Sequence, residues 1–338
     1  MTSLSNRIKV SEQRFRSLAL LTVVTVYLLI LAGGIVRSTG SGMGCPDWPK
    51  CFGRWVPPTE VSQLPPNFQA IYGAKLKGEI EFNAVKTWIE YVNRLLGVFS
   101  GFLVFATLVA SFAYLSRDRV VFWSSVVAFL LIGLNGWLGS RVVATELAQY
   151  MITLHLLLAI LVVFVLLFVL IRSSVQQLAI EQRKEPSKAL SWLLLVTMLI
   201  SIVQLVLGTQ VRDALDEVVR RLGYDQRANW IGAIDWRFYV HRSFSLVVLA
   251  FHVAVIYRLR KTSQTGSLPR LALGLIGLVI AEIVTGAVMA YFAVPAAAQP
   301  IHLVLAVLII GVQFVAWLIV NPSLLIANRV SQRSFVEV

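Results

Sequence analysis

Apolar residues dominate the chain in long uninterrupted runs, and polar residues gather between the runs. Stretches of about 20 apolar residues, the length that crosses roughly 30 Å of hydrocarbon, lie near 17 to 36, 90 to 115, 120 to 139 and 150 to 171. A second set lies near 189 to 208, 238 to 258, 270 to 292 and 300 to 320. The pattern predicts eight membrane-spanning helices. The first run follows Arg7, Lys9, Arg14 and Arg16 as a signal peptide would, but it is long and has no Ala-x-Ala cleavage site, so it reads as a retained helix.

The polar segments repeat as well. His155 and the six residues after it resemble His302 and its followers, and the same offset carries Gly139 onto Gly286. A nearly equal offset carries Tyr91-Val92-Asn93-Arg94 onto Tyr239-Val240-His241-Arg242. More loosely, Gly33 and Arg37 match Gly208 and Arg212. These matches predict a duplication into halves 1–175 and 176–338. Four spans per half is an even number, so both halves enter the membrane from the same side. The expected fold is an all-α polytopic membrane protein with two parallel four-helix bundles related by a pseudo-two-fold axis.

Composition agrees with a bilayer as solvent. The chain is 57% hydrophobic and 14% charged over 338 residues, outside the range of soluble domains. Orientation follows from Lys and Arg, which cytoplasmic segments retain. An inner amino terminus places 16 of the 30 inside, among them Arg117, Arg119, Arg172, Arg183, Lys184, Lys188, Arg258, Arg260, Lys261, Arg270, Arg329 and Arg333. Eleven of the 17 acids then fall on the outer side. Both termini are expected in the cytoplasm, in a plasma or inner membrane. The net charge of +13 is accounted for by anionic lipid beside the inner segments, and no nucleic-acid partner is expected.

The duplication puts Asn93, His155, His241 and His302 at equivalent positions near the outer ends of even-numbered spans. Three of the chain's four histidines fall there. The bland reading is hydrogen-bonded core or interfacial histidines. The sharper one is iron: imidazoles facing each other from two helices ligate haem axially, and His241 with His302 supplies such a pair. Arg37, Arg94, Arg141, Arg212 and Arg242 share that level, where guanidinium forks hold haem propionates, unless they are only solvated helix ends. His252 lies 11 residues past His241, about 16 Å deeper at 1.5 Å per residue, and reads as an inner-interface residue. Glu282, mid-span, reads either as a proton relay or as a hydrogen-bonded core acid.

The halves also differ. Glu90 precedes Tyr91-Val92-Asn93-Arg94, and its counterpart is Phe238. A carboxylate in a partly dry pocket exchanges protons with a reacting centre; the plainer reading is an ion pair with Arg94. Only the first half carries the loop holding Cys45 and Cys51, the chain's two cysteines. On an oxidising outer side they can pair, as a structural staple or as an exchangeable redox disulfide. Zinc is not expected, since companion ligands are missing nearby.

Together, Gly33 to Gly42, the cysteine loop, Glu90-Tyr91-Val92-Asn93-Arg94 and histidines 155, 241 and 302 resemble the haem A synthase family along essentially the whole chain. The resemblance implies oxidation of a methyl group of haem O to a formyl group through hydroxylated intermediates. It implies haem b between His241 and His302, substrate haem O in the first half, Glu90 as catalytic acid, and a site near the outer face. Cys45 and Cys51 match loop cysteines found in part of the family. The implied partners are haem O and its supplying enzyme, membrane lipid, an electron acceptor of unspecified kind, and a second copy in a homo-oligomer. The family usually has Glu-Tyr-x-His-Arg, and Asn93 stands where that histidine belongs. Asparagine is a poor iron ligand, so His155 alone is expected to hold the first-half iron. A non-catalytic bis-histidine electron carrier is the principal rival, with a transporter behind it. A carrier has no evident use for Glu90 or the loop.

Overall fold

In a computed structural model, the described residues are 2–73, 82–175, 187–262 and 266–326, with side chains from residue 12 onward. Arg183, Lys184, Arg329, Arg333 and the boundary between residues 175 and 176–186 lie outside the described residues, as do the side chains of Arg7 and Lys9. Among the described residues, eight helices are long and apolar enough to span a membrane. They are α1 (Thr2–Ser38), α2 (Ala84–Ser111), α3 (Arg119–Ala144), α4 (Gln149–Ser173), α5 (Lys188–Leu222), α6 (Trp236–Thr262), α7 (Ser267–Tyr291) and α8 (Ala298–Val320). The protein is a multi-pass, all-helical membrane protein.

Local chemistry fixes several ends. Asn83 caps α2 by accepting from the Lys86 amide at 3.1 Å, and Asp118 caps α3 by accepting from the Val120 amide at 3.1 Å. Gly223, at φ 73, ends α5 in a conformation that side chains resist.

Helix α5 departs most from expectation, running 14 residues past the predicted end at 208. Its 35 residues reach roughly 52 Å at 1.5 Å each, well beyond the hydrocarbon. The extension is helical because it is amphipathic. Arg212 and Asp216 pair one turn apart at 2.8 Å, while Ala214, Leu215 and Val218 bury against Trp230, Ile234 and Val294. It packs over the segment between α5 and α6 and the turn before α8. Helix α2 likewise begins six residues before its predicted start at 90.

Packing closes each set of four helices into a ring. In the first, α1 packs on α2, α2 on α3, α3 on α4 and α4 on α1. In the second, α5 packs on α6, α6 on α7, α7 on α8 and α8 on α5. The rings meet along α1 with α8, α4 with α8, and α4 with α5. A shared core joins them there, including Val26, Ile30, Ile160, Val163, Leu166, Leu205, Val307 and Ile310. In each ring the second and fourth helices are therefore diagonal, facing each other across its middle.

The turns that lead into α4 and α8 match closely. Glu146 and Leu147, between α3 and α4, have φ of 52 and 64, and Ala293 and Val294, between α7 and α8, have φ of 54 and 52. Their hydrogen bonds correspond. The Leu147 amide donates to Val142 O at 2.9 Å, and that of Val294 to Met289 O at 3.1 Å. Each pair of atoms is related by the sequence offset between His155 and His302.

At the opposite end, Arg172 locks α4 to its neighbours. Its Nε and NH2 donate to the two Asp118 carboxylate oxygens at 2.7 and 3.0 Å, and its NH1 donates to Leu324 O at 2.6 Å. His252 is buried rather than interfacial, 3% exposed. It meets Val248 O through Nδ1 and Gln313 through Nε2, both at 2.7 Å, while Gln313 also donates to Ser201 at 3.3 Å. A polar cluster between α5, α6 and α8 takes it out of the interface, because each of its polar atoms finds a partner inside the bundle.

Candidate functional site at one end of the two helix rings

The three histidines share one packing arrangement. A Cβ added at Gly139 would lie 3.3 Å from His155 Cε1, at Gly208 3.2 Å from His241 Cε1, and at Gly286 3.3 Å from His302 Cε1. Each imidazole thus rests on a glycine of the preceding helix, where any side chain would push it away. One turn before each of these glycines stands a polar residue: Asn135, Gln204 and Glu282. At the fourth equivalent position the arrangement is interrupted. A Cβ at Gly33 would meet nothing within 4 Å, Asn93 replaces the imidazole, and Leu29 holds the deeper position.

His241 and His302 occupy the diagonal helices of the second ring. His155 and Asn93 occupy the diagonal helices of the first ring. Buried atoms without a protein hydrogen-bond partner include Nδ1 of His155 and of His241 and Oδ1 of Asn93. Nδ1 of His302 differs, lying 3.0 Å from the Thr285 hydroxyl and 3.3 Å from Glu282 Oε1.

Glu90 is 5% exposed and does pair with Arg94, whose Nε donates to Oε1 at 3.0 Å. The rest of the guanidinium fastens the cysteine loop. NH1 donates to Asp47 O at 2.7 Å and Lys50 O at 3.0 Å, and NH2 donates to Cys45 O at 2.8 Å. Thr87 adds a hydrogen bond to Gly44 O at 2.9 Å, and Tyr91 one to Trp55 O at 2.6 Å. A Cβ at Gly44 would lie 2.4 Å from Lys86 O, so only glycine lets the loop approach α2 this closely. Cys45 and Cys51 are joined in a disulfide and fully buried. Sequence reasoning left this pairing open, and the folded loop resolves it.

The expected propionate clamps are differently employed. Arg37 and Arg212 both pair with Asp216, at 2.5 and 2.8 Å, across the junction of the rings. Arg212 also bonds Gln299 through its side chain and Arg37 O at 3.1 Å. Arg141 and Arg242 are exposed. Sequence reasoning missed Asp216, Gln299, Thr285, Asn135 and Gln204. For the last two a signal existed, since Asn135, Gln204 and Glu282 each precede by four residues a glycine that carries an imidazole.

These features define a polytopic helical membrane protein with imidazoles carried on alternate helices at one end of two linked rings. The family model of the COX15-CtaA family, described as cytochrome oxidase assembly protein, matches residues 16–314. The chain belongs to this family. It is similar to a protein named "Heme A synthase" of Rickettsia prowazekii, 23% identical over 324 residues covering 86% of this chain and 93% of that one. It is also similar to the "Heme A synthase" of Shewanella oneidensis, 28% identical over 188 residues, and to that of Nitrosomonas eutropha, 31% identical over 156 residues. Those two matches cover 56% and 41% of this chain and 54% and 42% of the relatives, so the chain spans about half the length of each.

Proposed function

We propose that this protein is a haem A synthase, oxidising a methyl group of haem O to a formyl group through hydroxylated intermediates. In this reading His241 and His302 hold haem b in the second ring, and His155 holds the substrate's iron in the first. The observation that carries it is the placement of His241 and His302 on diagonal helices of one ring, where the two imidazoles would hold a haem iron. The residues fit the group: the rings are half-buried, the glycines let each imidazole bring Cε1 close to the preceding helix, and the buried Nδ1 of His241 has no side-chain partner. Bound there, haem b supplies one-electron redox chemistry.

The chain's own residues then have distinct tasks. Arg94 holds Glu90 through Oε1, leaving Oε2 as the atom that takes up or delivers a proton near the substrate. Asn93 is too short to close the face opposite His155, so that face stays accessible to an oxidant. The disulfide loop, pinned by Thr87, Tyr91 and Arg94, covers the outer side of Glu90 and limits entry of water. Arg37 and Arg212 share one carboxylate, so a positive charge is left over that suits a propionate, and exposed Arg141 and Arg242 add to it.

The site is assigned to the outer face, with both termini in the cytoplasm, and the segment 1–175 to substrate and 176–338 to haem b. The partners are haem O, the enzyme that supplies it, surrounding lipid and an electron acceptor. A second copy in a homo-oligomer belongs to the same expectation.

Mass spectrometry of haems extracted after co-expression with a haem O source tests the assignment. Haem A is expected from the native chain and not from Glu90→Ala. Haem A from neither, with haem b bound, leaves an electron carrier, which has no use for the buried acid.

A further inference from the structure

The two imidazoles assigned to haem b are treated unequally by their surroundings. An imidazole that ligates iron through Nε2 carries its proton on Nδ1, and the acceptor of that proton sets how electron-rich the ligand is. Nδ1 of His302 faces two oxygens of α7, the Thr285 hydroxyl at 3.0 Å and the Glu282 carboxylate at 3.3 Å. The hydroxyl is free to accept because its own proton has a place to go: Ala281 O and Glu282 O each lie 3.0 Å from Thr285 Oγ1.

Nothing comparable serves His241, whose Nδ1 is buried without a side-chain partner. By the repeat, Thr285 corresponds to Leu207 and Glu282 to Gln204. Gln204 is a neutral amide, and it donates to the backbone carbonyl of His241 at 3.1 Å rather than accepting from the ring. His155 is in the same position as His241, with Leu138 and Asn135 at the corresponding places and an unpartnered Nδ1. Among these three histidines a carboxylate is supplied to one alone. An acid this deep in a membrane protein is costly to keep and calls for a task.

We propose that Glu282 is a positioning residue for haem b: with Thr285 it accepts the Nδ1 proton of His302, making that ligand the more electron-donating of the two and lowering the potential of the iron. The proposal rests on the reading that His241 and His302 hold haem b. Electron donation from the axial ligand stabilises the ferric form, and ligand hydrogen bonding is one of the levers by which a protein sets haem potential. It also holds the His302 ring against α7, where Cε1 lies over Gly286 and the neighbouring Nδ1 faces the two oxygens.

The test is a spectroelectrochemical titration of the purified, full-length, haem-loaded protein, with electron paramagnetic resonance of the ferric form. Glu282→Gln retains shape and replaces a carboxyl oxygen with an amide nitrogen, a donor rather than an acceptor. It is expected to keep a bis-histidine low-spin spectrum and to shift the midpoint potential in the positive direction. Thr285→Val is expected to shift it the same way by less. An unchanged or more negative potential in Glu282→Gln overturns the proposal. If that variant does not accumulate with haem, Thr285→Val carries the test alone, and an unchanged potential there overturns it equally. His302→Ala separates the proposal from the reading beneath it. Loss of the low-spin signal in His302→Ala together with an unshifted Glu282→Gln defeats the role of Glu282 only. Persistence of that signal in His302→Ala removes the haem b assignment and this proposal together.

Discussion

Arg94 joins Glu90 to the disulfide loop, donating to the carboxylate from Nε and to three loop carbonyls from its terminal nitrogens. A forked, planar cation is needed for this, and an ammonium cannot reproduce it. Arg94→Lys is expected to loosen the loop while leaving the helices in place, at a loss of about 2 kcal/mol or more, the usual worth of a hydrogen bond to a charged group. Limited proteolysis between residues 45 and 64 checks this: cleavage should quicken in the variant, with haem A formation falling alongside it.

The glycines under the imidazoles lead to a graded expectation. Alanine at Gly139, Gly208 or Gly286 places a methyl 3.2 to 3.3 Å from an imidazole carbon, and overpacking of this kind costs about 1–3 kcal/mol. Gly208→Ala and Gly286→Ala should weaken haem b retention, read from the absorption of the purified protein. Gly33→Ala, where the added methyl meets nothing, should retain haem like the native chain. Equal behaviour of all these variants would defeat the idea that glycine seats the rings.

Asn93 is the chain's departure from the fourfold pattern. Asn93→His would put an imidazole opposite His155 in the first ring, toward the open space at Gly33. The expected result is a second low-spin bis-histidine centre in haem O-loaded protein, visible by magnetic circular dichroism, with less haem A formed. Higher haem A output from Asn93→His would contradict the role given to an open face.

The end away from the histidines depends on a different contact. Arg172 is bonded to both oxygens of Asp118 and to Leu324 O, with 5% of its side chain exposed against 19% for Asp118. Arg172→Ala leaves a part-exposed carboxylate without its partner, which costs about 1–3 kcal/mol. Thermal unfolding in detergent should occur at a clearly lower temperature, whereas the haem spectrum at low temperature should be native.

The eight helices were legible in the sequence because hydrocarbon thickness sets a length that few other structures imitate. Their ends were less so. Helix α5 continues past the membrane on charged residues that pair along its own surface and on Ala214, Leu215 and Val218, a pattern that a search for apolar length passes over. Histidines 155, 241 and 302 and Glu90 stood out through the repeat and its one asymmetry. Arg37 and Arg212 stood out too, but Asp216 as their shared partner did not, because it ties Arg212, four residues away, to Arg37, which lies 175 positions from Arg212 in the chain. Thr285 was invisible for another reason: a threonine in an apolar helix ordinarily bonds its own backbone, and only the placement of His302 gives its oxygen a second use.

The matched left-handed turns have a consequence for how far the site tolerates change in its connecting segments. His155 follows Leu147, and His302 follows Val294, by the same eight residues, so each turn acts as the origin from which the histidine's height and bearing are measured. Adding or deleting a single residue between turn and histidine would swing that imidazole by about 100° around its helix, away from the glycine on which it rests. Connecting loops are ordinarily where membrane proteins absorb length variation most easily. Here two of them set the direction of the imidazoles, and their length is part of that arrangement.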